Sequence, residues 1–177
     1  MLTLPINDTA ILGVLQSSHA EQLFGLFEKN RARFEPWLPF MATTDSVDGV
    51  RTFIRSGLER FGSERGGLFG IWFRRSLVGC VSFRIHEDGY ATLGYWLDGE
   101  YEGKGMATAA CRALAVHLFD DLGVHRIEIR CEPDNLRSIA VAERAGFTRE
   151  ATLRGAINIG GAARDLIVFA RLRGDSD

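Results

Sequence analysis

Residues 93–114 read Leu93-Gly-Tyr-Trp-Leu-Asp-Gly-Glu-Tyr-Glu-Gly-Lys-Gly-Met-Ala-Thr-Ala-Ala-Cys-Arg-Ala-Leu114 and predict a strand, a glycine-rich turn and a helix. The apolar and aromatic residues 93–97 are typical of a buried strand. Small and apolar residues then recur at the spacing of one helix face: Ala107, Ala110, Leu114 and Leu118. In between, the two glycines of Glu102-Gly-Lys-Gly-Met-Ala107 let backbone N–H groups turn toward one point, beside the positive end of the helix dipole. This arrangement predicts a phosphate-type anion site built largely from backbone.

The spacing of this loop distinguishes four interpretations. A P-loop requires G-x-x-x-x-G-K-[ST], but Gly99–Gly105 is one residue short and has glycine in place of the metal-binding hydroxyl. A dinucleotide fingerprint, G-x-G-x-x-G, matches Gly103 and Gly105 but would put its third small residue at Ala109, at the wrong spacing. A plain strand-to-helix turn is the third interpretation. The fourth is the acyl-CoA loop of the GNAT N-acetyltransferases, R/Q-x-x-G-x-G/A, which residues 102–107 resemble except that the first residue is Glu.

A second segment favours the fourth interpretation. Asn135-Leu-Arg-Ser-Ile-Ala-Val-Ala-Glu-Arg-Ala-Gly-Phe147 resembles the GNAT segment N-x-x-[SA]-x-x-x-x-x-[KR]-x-G-F, which lies beyond the acyl-CoA loop. Two such segments in this order are far more specific than either alone. Together with Leu93–Leu97 and Trp37-Leu-Pro-Phe40, they resemble the RimJ/RimL type, the N-terminal acetyltransferases of ribosomal proteins. The resemblance extends from about Ala10 to Leu172.

Hydrophobic patterning along the chain predicts a mixed α/β domain. The predicted strands are Ala10–Leu15, Leu68–Phe73, Leu77–Ile85, Tyr90–Leu97, Arg126–Cys131 and a closing pair that follows Gly146-Phe147, turns at Gly160-Gly161 and ends at Leu172. Helices are predicted from a capping box at Ser18 to about Arg33, from a cap at Asp45 or Ser46 to Phe61, from Ala107 to about Leu122 and from a cap at Asn135 to Ala145. Trp37-Leu-Pro-Phe40 is interpreted as a packed turn in preference to a substrate wall.

The resemblance implies the GNAT acyl-CoA N-acyltransferase fold. This fold has a mixed, mostly antiparallel seven-stranded sheet with helices on both faces, splayed between its fourth and fifth strands. The chain has 177 residues, 46% of them hydrophobic, which suits one packed domain spanning residues 1–177. The net charge of −2 gives no reason to expect a nucleic acid or a membrane surface as partner, and no apolar run reaches the length of a membrane span. Three cysteines without C-x-x-C spacing predict reduced thiols and a cytoplasmic location.

The resemblance also implies how acetyl-CoA binds. The pantetheine arm lies between the two splayed strands, much as an added strand would. Gly94 and the N–H groups of Tyr95, Trp96 and Leu97 face the pantetheine and the thioester carbonyl, so Leu97 is a catalytic candidate that stabilises the oxyanion. The diphosphate rests on the loop and the first helical turn. The predicted cofactor-binding residues there are Glu102, Gly103, Lys104, Gly105, Met106, Ala107 and Thr108, and Asn135 and Ser138 contact the pantetheine end. No metal is expected.

The implied reaction is the attack of a neutral amine on the acetyl thioester. Ser138 is predicted to protonate the leaving thiolate, directly or through water. Some RimL-like relatives carry Glu where Ile157 stands here, and an isoleucine cannot accept a proton. The chemically suitable bases are Glu28, Glu35, Asp45, His86, Glu87 and Glu132, none of which the sequence places near the thioester.

The absence of a base at Ile157 affects which acceptor amine is expected. An α-amine with a pKa of about 7.7–8.0 is roughly a quarter neutral near pH 7.4, whereas a lysine with a pKa of about 10.4 is only about one part in a thousand neutral. The predicted acceptor is therefore the N-terminal α-amine of a protein, of the ribosomal-protein type. Two alternatives stay open: a small amine such as an amino sugar, polyamine or antibiotic, and a non-catalytic acyl-CoA-binding module. The resemblance also implies a homodimer.

Overall fold

In the computed structural model, which describes residues 2–175, eight strands form a single sheet. The strands are β1 (Thr3–Asn7), β2 (Ala10–Val14), β3 (Gly66–Phe73), β4 (Ser76–Ile85), β5 (Tyr90–Leu97), β6 (Arg126–Cys131), β7 (Thr148–Ile159) and β8 (Ala162–Leu172). The helices are α1 (Ala20–Phe34), α2 (Val47–Gly62), α3 (Met106–Asp120) and α4 (Leu136–Arg144). The predicted domain limits, residues 1 and 177, lie outside the described residues.

The sheet is mixed and mostly antiparallel, as predicted. Its strand order is β1-β2-β3-β4-β5-β6-β8-β7, and β5 and β6 are the parallel pair, because the chain crosses through α3 between them. The sheet has one strand more than the seven predicted. The additional strand, β1, pairs antiparallel with β2 at the edge of the sheet, where a proline such as Pro5 is tolerated. Its half-exposed pattern gave only a weak hydrophobic signal in the sequence.

Two hydrophobic cores lie on opposite faces of the sheet. Ala91, Leu93 and Leu97 of β5 pack in the core that contains α3 and α4, whereas Trp96 packs in the core that contains α1 and α2. Since side chains of a strand alternate between faces, residues of β5 with odd numbers belong to the α3/α4 face and those with even numbers to the α1/α2 face. Fully buried side chains such as Phe27 contribute about 1.5–3 kcal/mol each.

The starts of α1 and α4 show one capping prediction that is wrong and one that is confirmed. The capping box predicted at Ser18 does not begin α1; a short 3₁₀ turn precedes the helix, and the Gln16 N–H donates to His19 Nδ1 at 3.0 Å. The predicted cap of α4 is confirmed, because the Ser138 N–H donates to Asn135 Oδ1 at 3.1 Å. In the Trp37–Phe40 segment, Phe40 stacks on a helix α2 ring, with 5.0 Å between the centroids, as a packed turn requires. Trp37 and Leu38 line a large cavity beside β5, so the segment is also a cavity wall.

Candidate active site

Strands β5 and β6 are paired along only part of their lengths. Their parallel ladder covers residues 90–93 and 126–129, but both strands continue beyond it. The strands therefore separate, as the splay predicted from the resemblance requires. We call this gap the opening: residues 94–97 form one wall and residues 130–132 form the other.

The hydrogen-bond phase of β5 determines which backbone groups face the opening. Two hydrogen bonds at the ends of the β4–β5 ladder show which residues of β5 bond to β4. The His86 N–H donates to the Tyr90 carbonyl, and the Asp98 N–H donates to the Val78 carbonyl, each at 2.8 Å. Because the ladder between them has no register shift, the even-numbered residues of β5 bond to β4. The N–H groups of Tyr95 and Leu97 consequently point into the opening. The Trp96 N–H points at β4 instead, contrary to its predicted direction.

A cavity of about 970 Å³ lies beside the opening. It is bordered by β5, by the loop and first turn of α3, by α4 and by the end of α1. The predicted cofactor-binding residues that line it are Tyr95, Trp96, Leu97, Glu102, Gly103, Gly105, Met106, Ala107, Thr108, Asn135 and Ser138. Lys104 is not among the lining residues; its ammonium group donates to the Glu100 carbonyl at 2.9 Å and lies 5.2 Å from the Tyr101 ring centroid.

The loop before α3 has the geometry of an anion site. Gly103 and Gly105 have φ angles of 73° and 74°, which side-chain-bearing residues rarely adopt. Gly105 is the N-cap of α3, whose first N–H groups have no partner within the helix. Thr108 Oγ1 is buried in that first turn and has no hydrogen-bond partner among residues 2–175. These converging donors, at the positive end of a helix dipole, fit a phosphate group.

A charged group lies beside the loop. Arg33 of α1 donates through Nη2 to Glu102 Oε1 at 2.7 Å and through Nη1 to Asn30 Oδ1 at 3.0 Å. Arg137 of α4 lies 3.5 Å from Glu102 Oε2. Arg33, Arg137 and Arg144 all border the cavity. Positive side chains from two helices therefore surround the loop, although the loop itself carries Glu102 where the family pattern has Arg or Gln.

Two hydroxyl groups meet at the wall of the opening. Tyr95 Oη lies 2.8 Å from Ser138 Oγ and also donates to the Ser138 carbonyl at 3.1 Å. Burial raises the pKa of the Tyr95 phenol, so the phenol stays protonated at neutral pH. Burial likewise raises the pKa of the Cys131 thiol on β6, so Cys131 is a neutral neighbour there. The pair is a neutral proton donor suited to a leaving thiolate.

Among the six suggested bases, Glu132 is the one in a wall of the opening. Its carboxylate is 8% exposed; Oε2 accepts from Arg164 Nη1 at 3.0 Å, and Oε1 has no hydrogen-bond partner in the described part of the chain. Arg164 is the cross-strand partner of Ile157. The carboxylate of Glu132, the residue after β6, therefore lies near the position of Ile157. The other five lie on or just after α1 (Glu28, Glu35), before α2 (Asp45) and in the β4–β5 turn (His86, Glu87).

The splayed strands, the backbone anion site and the hydroxyl pair can be compared with those of known proteins. The acetyltransferase (GNAT) domain matches residues 10–148. This chain belongs to the GNAT acetyltransferase family. A Bacillus subtilis (strain 168) protein named probable N-acetyltransferase YjcK is 36% identical, over 92% of this chain and 93% of its own.

Two further relatives carry more specific names. The ribosomal-protein-serine acetyltransferase of Escherichia coli (strain K12) is 27% identical, over 96% of this chain and 96% of its own. The solved structure of RimL, a ribosomal L7/L12 α-N-protein acetyltransferase in complex with coenzyme A, has a TM-score of 0.93 at 26% identity and covers 99% of this chain and 100% of its own. The predicted GNAT fold and the resemblance to the RimJ/RimL type are confirmed.

The protein is an N-acetyltransferase that uses acetyl-CoA. The backbone donors of the loop, the buried Thr108 hydroxyl and the bordering arginines fit the phosphate groups of this substrate. Within residues 2–175, no group of His, Cys, Asp and Glu side chains could hold a metal ion. Over the same residues, no helix is both long enough and apolar enough to cross a membrane.

Two contributors to the site were not predicted from the sequence. The Tyr95 hydroxyl was missed because this residue was considered for its N–H alone, although a tyrosine in the splayed strand was a usable signal. Arg33 was missed because it lies on α1, 69 residues before Glu102. The unexpected acid at position 102 was the only available signal, since a buried or half-buried carboxylate generally has a cationic partner.

Proposed function

We propose that this acetyltransferase acetylates the N-terminal α-amine of a protein. The observation that carries the proposal is that the cavity continues through the opening: Ser138 of α4 borders it on one face of the sheet, and Phe34 and Leu38 border it on the α1/α2 face. Tyr95 lines the 970 Å³ cavity, and the exposed Gly94 lines a pocket of about 270 Å³ on the α1/α2 face. A thioester held in the cavity is therefore accessible to a narrow, extended chain end that approaches from the other face. The names of two relatives, a ribosomal-protein-serine and an α-N-protein acetyltransferase, support the same acceptor.

The reaction follows from the groups at the opening. The amine nitrogen forms a bond to the acetyl carbon, and the N–H of Tyr95 or Leu97 stabilises the oxyanion that develops on the carbonyl oxygen. The carbon–sulfur bond then breaks, and the Ser138 hydroxyl gives its proton to the sulfur while Tyr95 Oη returns a proton to Ser138 Oγ across their 2.8 Å contact. The proton lost by the amine restores the hydroxyl pair through water.

Proton removal favours an α-amine over a lysine. Roughly a quarter of an α-amine is already neutral near pH 7.4, whereas only about one part in a thousand of a lysine side chain is neutral. Ile157 provides no base. An α-amine therefore reacts without a strong base, and a lysine does not.

A thiol-release assay tests the proposal. The purified chain is given acetyl-CoA and matched peptides with a free or an N-acetylated terminus, each with and without an internal lysine. We expect release with free termini alone, independent of the lysine. Equal release from free and blocked peptides, or release with amino sugars and polyamines but no peptide, would contradict the proposal. Binding of acetyl-CoA without release to any amine would indicate a non-catalytic acyl-CoA-binding module.

The proposal includes the setting of the enzyme. The whole chain, residues 1–177, acts as one acetyltransferase domain in the cytoplasm. The free and buried state of Cys80, Cys111 and Cys131 is consistent with a reducing compartment. The homodimer stays a prediction, which the sedimentation behaviour of the purified chain tests.

A further inference from the structure

Two arginines without an ion-pair partner lie near the opening on the α1/α2 face. Arg60 belongs to the last turn of α2, and Arg84 belongs to β4. Arg60 Nη1 donates to Ser56 Oγ at 3.0 Å, and neither guanidinium forms a salt bridge with any residue from 2 to 175. Burial lowers the pKa of Arg60, the positive charge of Arg84 lowers it further, and the negative charge of Glu59 raises it. The two guanidinium groups therefore lie close enough to repel each other, and neither forms a salt bridge with a carboxylate of residues 2–175.

The two arginines line one pocket together. This is the pocket of about 270 Å³ that also contains Ser82, Thr92 and Gly94. The sheet register explains the assembly, because Arg84 is the cross-strand partner of Thr92 and Ser82 is the partner of Gly94. Hydrogen-bond donors therefore surround the pocket, namely the hydroxyl groups of Ser82 and Thr92 and the two guanidinium groups. Such a set of donors suits an anion.

Two carboxylates on neighbouring strands, Glu128 and Glu150, are already paired with arginines. Glu128 is the β6 partner of Thr92, but its two oxygens accept from Arg126 Nε at 2.8 Å and from Arg130 Nε at 2.9 Å. Glu150 pairs with Arg126 at 2.6 Å. Glu59, next to Arg60 on α2, is exposed and forms no salt bridge with Arg60 among the described residues. The pocket consequently keeps a net positive charge.

The pocket lies within reach of a substrate bound at the opening. Thr92 is three residues before Tyr95 on β5, a separation of roughly 10 Å at 3.3 Å per strand residue. An extended peptide covers about 3.3–3.6 Å per residue. An anionic side chain in this pocket would therefore belong to a residue two to four positions from the amine that is acetylated.

We propose that Arg60 and Arg84 bind a carboxylate of the acceptor, so that the enzyme prefers N-termini with Asp or Glu at the second to fourth position. The inference rests on the proposed function and adds a substrate preference to it. Arginine is suited to this role because its planar guanidinium matches a carboxylate through paired hydrogen bonds. The same chemistry could also recognise the α-carboxylate of a free amino acid or a dipeptide.

The experiment compares amidated hexapeptides that have a free N-terminal serine and differ only in Asp or Asn at positions two to four. For the wild-type enzyme we expect kcat/KM to be about tenfold higher with Asp, mainly through a lower KM. The double variant Arg60→Gln/Arg84→Gln should lose this preference and keep its rate on the Asn peptide. The matched control is Arg55→Gln/Arg75→Gln, which removes the same charge from exposed positions of α2 and the β3–β4 turn and should keep the preference. Titration with acetyl-CoA verifies that each variant is folded.

Each outcome decides the inference. Equal rates on Asp and Asn peptides, or a preference that survives in the Arg60→Gln/Arg84→Gln variant, would overturn it and leave the proposed function intact. Failure to acetylate any peptide would overturn both. Serine and seryl dipeptides with and without a C-terminal amide identify the source of the carboxylate. If only these small acceptors gain from a free carboxylate, the preference for acidic N-termini is wrong.

Discussion

The two faces of the opening present different chemical groups. On the α3/α4 face, the groups for the thioester substrate are backbone N–H groups, small residues and neutral hydroxyls, such as those of Gly105, Thr108 and Ser138. On the α1/α2 face, the groups are charged side chains, such as those of Arg60 and Arg84. The diphosphate is the same in every turnover, so backbone N–H groups can bind it. Such binding tolerates Glu102 in the loop, because it does not depend on that side chain. An acceptor differs between relatives, and side chains can change to match it.

The largest expected effect tests the backbone-built face. Gly105→Glu introduces a side chain at a φ of 74° and places a carboxylate at the diphosphate site. We expect the dissociation constant for acetyl-CoA to rise at least about a hundredfold by calorimetry. The control, Gly123→Glu, carries the same substitution at a φ of 67° just beyond the other end of α3, where a Cβ also has open space. Unchanged binding of acetyl-CoA in Gly105→Glu would show that this loop is not the anion site of the active site.

The hydroxyl pair should separate catalysis from binding on the same face. Ser138→Ala and Tyr95→Phe each interrupt the 2.8 Å contact through which we propose that the thiolate is protonated. We expect kcat to fall about thirtyfold in each, less than the full range for proton transfer because a thiolate is already a good leaving group. The dissociation constant for acetyl-CoA should stay within about twofold. Wild-type turnover in either variant would eliminate that hydroxyl as the proton donor.

The carboxylates of Glu128 on β6 and of Glu132, which follows β6 in the wall of the opening, form a matched pair for comparison. Glu132 has one unpartnered oxygen in the described part of the chain, whereas both oxygens of Glu128 are bonded to arginines. We expect Glu132→Gln to lower kcat about tenfold at pH 7, because the Glu132 carboxylate lies in the wall that the amine approaches and its charge stabilises the positive charge that develops on the attacking nitrogen. Glu128→Gln should leave kcat near the wild-type value. Equal effects of the two substitutions would assign both residues a purely structural role.

The smallest effect concerns two helix caps. Asn135→Ala and Ser46→Ala each remove a side-chain oxygen that accepts from a backbone N–H, at 3.1 Å in both helices. Each should lower stability by about 1 kcal/mol, or roughly 2–4 °C in thermal melting for a chain of this size. Only Asn135→Ala should also weaken acetyl-CoA binding, since Asn135 lines the cavity and Ser46 does not. Unchanged affinity in Asn135→Ala would limit Asn135 to capping.

The glycine loop and the α4 cap were predictable because each depends on residues that are neighbours in the chain, whereas the splay of β5 and β6 was predicted from the family resemblance. Glycines at residues 103 and 105 favour a left-handed turn wherever they occur, and the helix that follows supplies its own free N–H groups. The edge strand β1 was not predicted, because its alternation covers five residues and is interrupted by a proline.

Contacts between distant residues had no comparable signal. Arg33 and Glu102 are 69 residues apart, Tyr95 and Ser138 are 43 apart, and Glu132 and Arg164 are 32 apart. Residue types alone identified Glu132 as one of six equivalent bases. The register of β6 against β8 and the turn of the β7–β8 hairpin placed it at the opening and gave it Arg164 as partner.

The residue order was thus sufficient for the family fold, through two motifs that resemble those of the family, and for the proposed diphosphate site, which arises from local backbone preferences. The proton donor pair, the arginines beside the loop and the charged acceptor side depended on the folded sheet. Their partners come from separate elements, and only the strand order and register bring those elements within hydrogen-bond distance.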